Sequence, residues 1–156
     1  MRCILEHVEH RRSIEDLKRT FVRTGGTVRF CDAAREPDVP LASVGTPTYR
    51  GLPLGEYLDY PVTLEPRARH WRSRWNKLTL AHGCYWKKCA FCDVSLDYIG
   101  RYEPAAVDVL IRRIRQLVDE TGERGFHFVD EAMPPALLKR LSERLIDEQI
   151  DIAWWG

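Results

Sequence analysis

Hydrophobic positions recur along this chain with two different periods, and the change of period marks its organisation. In the second half, "KLTLAHG" reads as a strand. Val107, Leu110, Ile111, Ile114, Leu117 and Val118 then fall on one helical face, with Pro104 placed where a first helical residue is tolerated and Gly122 as a stop. "GFHFVD" reads as a second, buried strand. Pro134 and Pro135 open another helix with Leu137, Leu138, Leu141 and Leu145 inward, and "IDIAWW" begins a third strand. Strand, helix, strand, helix, strand predicts right-handed crossovers and a parallel sheet. The sequence stops at Gly156, on or just after a strand, which would leave an unpaired sheet edge, so a fragment of a larger barrel is the expectation.

The first thirty positions predict strand, helix, strand. "CILEHV" is a short apolar run; Ser13 with Asp16 resembles a capping box; Ile14, Leu17, Phe21 and Val22 make a stripe at helical spacing ending at Gly25 and Gly26; "TVRF" reads as a second strand. Between positions 32 and 76 the periodicity disappears. Pro37, Pro40, Pro47, Pro53, Pro61 and Pro66 punctuate the segment with Gly45, Gly51 and Gly55, which predicts a linker or a loop packed over a neighbouring domain. Tyr49, Leu52, Leu54, Tyr57, Leu58 and Tyr60 want a surface to pack on, which argues against disorder. The expected division is an α/β appendage over 1–31, a Pro-rich linker over 32–77 packing on the barrel, and sheet-and-helix units over 78–156.

Composition narrows the class without naming it. With 156 residues the chain can form one domain core but not a full eight-unit barrel, and 44% hydrophobic with 30% charged residues is ordinary globular usage. No apolar run approaches membrane-spanning length, and the N-terminus lacks a signal-peptide core, so a cytoplasmic protein with no membrane partner is expected. A net charge of +1 carries no strong demand for an acidic partner. "RARHWRSRWNK", over 67–77, interleaves five cationic side chains with Trp71 and Trp75, a mix that suits stacking on nucleic acid. A solvated basic approach anchored by the two Trp is the favoured reading, because the rest of the chain has no matching positive excess.

Five cysteines, an odd number, without an export signal argue for reduced thiols or a metal centre rather than a disulfide framework. Cys3 and Cys31 stand apart and read as packing residues. Cys84, Cys89 and Cys92 lie within "HGCYWKKCAFCD", just after the first strand of the expected parallel sheet, at the edge where such sheets place their sites. Thiolates select zinc, copper(I) or iron-sulfur clusters over hard cations. A structural zinc ion needs a fourth ligand, for which His82 is the only nearby candidate, while an iron-sulfur cube held by three Cys leaves one iron open.

"GCYWKKCAFC" resembles the cluster-binding loop of radical S-adenosylmethionine enzymes, C-x-x-x-C-x-Φ-C with Φ aromatic, here with four residues rather than three in the first gap. The resemblance covers 41–156, with "GLPLGEYL" as a supportive lead-in. It implies a partial radical S-adenosylmethionine (β/α) barrel, truncated after about two and a half βα units. Cys84, Cys89 and Cys92 would hold a 4Fe-4S cluster, and S-adenosylmethionine would fill the open iron. One-electron cleavage would then give methionine and a 5′-deoxyadenosyl radical. It places Phe91 along the adenine and gives a flavodoxin- or ferredoxin-type reductant as partner, with the substrate unknown. The loop looks like the group whose full-length members often carry an upstream cobalamin-binding domain, so cobalamin is an optional cofactor of a full-length form. Relatives often end the second strand in G-G-E, whose acid receives the cofactor's ammonium. "FVDEAMPP" retains only Asp130 and Glu131, which either accept that bond or form a solvated start to the next helix. No residue is singled out as a catalytic acid, base or nucleophile. A non-catalytic zinc- or iron-sulfur-binding module is the alternative.

Overall fold

The structure, a computed structural model, describes residues 2–56 and 75–156. Tyr57, Leu58, Tyr60 and the basic run over 67–74 lie outside the described residues. The chain divides into two compact units, Met1–Asp38 and Val39–Gly156.

In the first unit, "CILEHV" lies in a helix, α1 (Arg2–Val8), rather than the expected strand. Arg2 and Glu6 pair one turn apart at 2.7 Å, and Arg12 closes on the same carboxylate at 2.8 Å. Ser13 does cap, accepting from the backbone N–H of Glu15, but only a single 3-10 turn, Ile14–Asp16, follows. The expected helix over Ile14 to Val22 is replaced by an antiparallel hairpin of β1 (Thr20–Thr24) and β2 (Thr27–Cys31). Gly25 and Gly26 take φ of +56° and +83°, the two left-handed positions a two-residue hairpin turn requires, and the flanking Thr, Val and Phe side chains favour strand. That pairing outweighs four apolar residues that merely share helical spacing. Leu17 and Cys31 are buried, which fits Cys31 as a packing residue.

The second unit is mixed α/β. Its centre is an open, three-stranded parallel sheet in the order β3 (Asn76–Leu78), β6 (Gly125–Phe128), β7 (Ala153–Trp155). The crossovers run through α3 (Val107–Thr121) and α4 (Pro135–Asp147). One sheet face carries Leu78, Phe126 and Phe128, which meet Leu110, Ile114 and Leu117 of α3 and Leu137, Leu141 and Leu145 of α4 in one buried cluster. Each fully buried Leu, Ile or Phe of this cluster contributes roughly 1.5–3 kcal/mol, so the two helices are held chiefly by their apolar faces. Gly122 ends α3 at φ +73°.

Among the described residues none of the sheets closes into a barrel. Two expectations change here. "KLTLAHG" breaks after Leu78, and its second part, β4 (Ala81–His82), pairs antiparallel with β5 (Glu103–Pro104). Pro104 therefore sits in that short strand, and α3 starts at Val107 after Ala106. Pro104 lacks an N–H, but its carbonyl and fixed φ are compatible with an edge strand, so the proline does not have to begin the helix.

From Val39 onward the described part of the Pro-rich segment belongs to this unit. Arg113, 4% exposed on α3, donates to the carbonyl oxygens of Leu41 (3.1 Å) and Val44. Thr48 donates to Glu120 at 2.8 Å, and the Tyr49 hydroxyl accepts from the backbone N–H of Lys77 at 2.9 Å.

Candidate functional site

The cysteine loop, 83–102, is closed at its neck by the pairing of β4 with β5. Gly83 makes that closure feasible: its φ is +71°, and a Cβ there would stand 2.0 Å from the carbonyl oxygen of Arg101. Immediately beyond, the Cys84 N–H donates to the Ile99 carbonyl at 3.3 Å, which buries Cys84 against the base of the loop. Lys87, at φ +53°, turns the chain and donates its ammonium to the Gly100 carbonyl. The four-residue helix α2 (Asp97–Gly100) forms the returning limb.

All three cysteines of the motif lie in this loop. The Cys92 N–H donates to the Cys89 carbonyl at 3.1 Å, forming a tight turn that sets these two residues side by side. Burial pushes the Cys92 thiol up, and the neighbouring Cys89 and Cys84 sulfurs push it further, with Glu131 adding to the effect. All three cysteines are free; Cys84 is buried, and Cys89 and Cys92 are half-buried. Among the described residues no group of three or more His, Cys, Asp or Glu is disposed around one metal ion. His82 stands at the neck, its Nε2 buried without a hydrogen-bond partner among the described residues.

The strand-end acids take different positions. Asp130 accepts from the Leu80 N–H at 3.0 Å on both oxygens and from the Ala81 N–H at 2.6 Å. These bonds fasten the end of β6 to the bend between β3 and β4, directly beneath the loop. Burial raises the Asp130 pKa; the two backbone donors oppose that rise without cancelling it. Glu131 is exposed, and its charge reaches both Asp130 and Cys92. Of the two acids, Glu131 is the exposed one, while Asp130 has a structural task.

Aromatic side chains surround the loop. Phe91 is 88% exposed and therefore open to a planar ligand. Tyr85 lies between Trp86 and Tyr102, with ring centroids 6.3 and 6.4 Å away, and the Lys88 ammonium sits 5.2 Å from the Trp86 ring centre. Tyr102 is not singled out by sequence pattern, yet its hydroxyl pKa is raised by burial and then by Asp130. The only sequence signal for it is its position at the end of the loop.

Among the described residues no helix is long and apolar enough to cross a membrane. Comparison with protein-family models, curated proteins and solved structures finds no match to this chain.

Proposed function

We propose that this chain binds a 4Fe-4S cluster and S-adenosylmethionine in the manner of radical S-adenosylmethionine enzymes. The observation that carries the reading is the placement of Cys84, Cys89 and Cys92 in one loop, closed at its neck by β4 and β5 beside the carboxyl end of a parallel sheet. Three thiolates leave one iron of a cube for an exogenous ligand, and carboxyl-edge loops are where parallel sheets concentrate their chemistry. A cluster held by Cys84, Cys89 and Cys92 would, once reduced, supply one electron for cleaving the sulfonium of S-adenosylmethionine to methionine and a 5′-deoxyadenosyl radical.

The chain's own residues do the remaining work. Cys84, Cys89 and Cys92 hold the metal, and Glu131 accepts the cofactor's ammonium, with Asp130 fixing the backbone around it. Phe91 offers its exposed ring to the adenine. Tyr85 and Trp86 limit water at the loop. A flavodoxin- or ferredoxin-type reductant docks at the exposed loop in a reducing cytoplasm. In a full-length form, cobalamin is an optional further cofactor.

The test is cofactor cleavage. Anaerobically reconstituted, dithionite-reduced protein mixed with S-adenosylmethionine is expected to release 5′-deoxyadenosine, and Cys89→Ala to abolish the release. No product from cluster-loaded wild-type protein would overturn the enzymatic reading.

The buried Nε2 of His82, without a hydrogen-bond partner among the described residues, favours one second reading, a non-catalytic zinc module in which His82 joins the three thiolates. Zinc-loaded protein would stay colourless, and His82→Ala would lose the metal.

A further inference from the structure

The sheet face opposite α3 and α4 carries a row of three side chains in register. Lys77 on β3 stands beside His127 on β6, and His127 beside Trp155 on β7. The Lys77 ammonium lies 2.9 Å from His127 Nδ1, and the imidazole stacks on the indole with centroids 3.8 Å apart and planes 6° apart. An ammonium can only donate, so Nδ1 accepts and the neutral ring carries its proton on Nε2. Burial, and then the Lys77 charge, lower the His127 pKa and keep the ring neutral.

Parallel sheets are ordinarily covered on both faces by apolar side chains, and among the described residues this row is polar and aromatic instead. It presents one cation, one N–H donor and one aromatic surface. No carboxylate among the described residues pairs with Lys77. Trp155 remains 47% exposed. We propose that Lys77, His127 and Trp155 form a binding site for the carboxylate of a small planar molecule. One ammonium balances one negative charge, the Nε2–H and the remaining Lys77 N–H groups supply donors, and the exposed indole supplies a flat apolar wall. A phosphate dianion would leave uncompensated charge on this row. The site stands on the sheet face and does not depend on any metal in the cysteine loop.

The probe is benzoate, added to the metal-free chain labelled with nitrogen-15, with inorganic phosphate as the contrast. The His127 imidazole signals, assigned by their loss in His127→Gln, are expected to shift saturably with benzoate and less with phosphate. Lys77→Gln is expected to weaken benzoate by about tenfold, and Lys77→Arg to restore most of it. Trp155→Leu tests the wall independently and is expected to weaken benzoate but not phosphate. Unsaturable shifts, phosphate binding as tightly as benzoate, or unchanged affinity in Lys77→Gln and Trp155→Leu would each overturn the assignment. Because no cluster is needed, failure here is separate from failure of the proposed enzymatic activity.

Discussion

The Asp130 carboxylate lies 2.6 Å from the backbone nitrogen of Ala81, so the acid that ends β6 holds the bend from which the cysteine loop departs. Removing it strands two backbone N–H groups. Asp130→Ala is expected to cost about 1–3 kcal/mol in urea unfolding, and Asp130→Asn, which keeps an acceptor, less. The pH dependence has a definite sign. Burial raises the folded-state pKa of Asp130 above its ordinary 3.8, so the native state holds this proton more tightly than the unfolded chain. Stability from this group is complete below the unfolded value and falls as pH rises through the folded one. Thermal unfolding across that window is expected to show a loss in the wild type that Asp130→Asn flattens.

Gly83 and Gly122 share nearly the same φ, +71° and +73°, but not the same surroundings. At Gly122 an added Cβ meets nothing within 4 Å, so Gly122→Ala is expected to cost only the left-handed backbone penalty, about 1–2 kcal/mol. At Gly83 the same penalty adds to a clash with the Arg101 carbonyl. Gly83→Ala is expected to destabilise more by urea titration and also to lower cluster incorporation, which Gly122→Ala leaves intact.

Arg113 clamps the segment before the sheet through two carbonyls. Arg113→Met keeps much of the side-chain volume while leaving those oxygens without their donor, at an expected cost of about 1–3 kcal/mol. Limited proteolysis is expected to cut faster within 39–56.

Phe91 makes the opposite case, since an 88% exposed ring contributes little to folding. Phe91→Ala is expected to change stability by no more than about 0.5 kcal/mol while weakening S-adenosylmethionine binding to cluster-loaded protein, measured by equilibrium dialysis.

The parts of this structure legible in the sequence are those in which one local signal decides the outcome. The stripe from Val107 to Val118 with Gly122 behind it, and Pro135 ahead of Leu137, Leu141 and Leu145, name α3 and α4, and the apolar runs between them name parallel strands. The N-terminal stripe misleads because Ile14, Leu17, Phe21 and Val22 fit a helix by spacing while Gly25 and Gly26 satisfy a hairpin by φ. The partners of Asp130 were not legible, because they depend on β3 ending at Leu78, which frees the N–H groups of Leu80 and Ala81. The row of Lys77, His127 and Trp155 required the strand register, a property of three distant segments together.

We propose that Cys84, Cys89 and Cys92 hold a cluster with one iron left for the cofactor. Electron paramagnetic resonance of the anaerobically reconstituted, reduced protein tests it most directly when recorded before and after adding S-adenosylmethionine. The account predicts a reduced 4Fe-4S signal whose g values shift on addition, lost in Cys84→Ala, Cys89→Ala and Cys92→Ala and kept in Cys3→Ala and Cys31→Ala. A signal indifferent to the cofactor, or a colourless protein that retains only zinc, would contradict it.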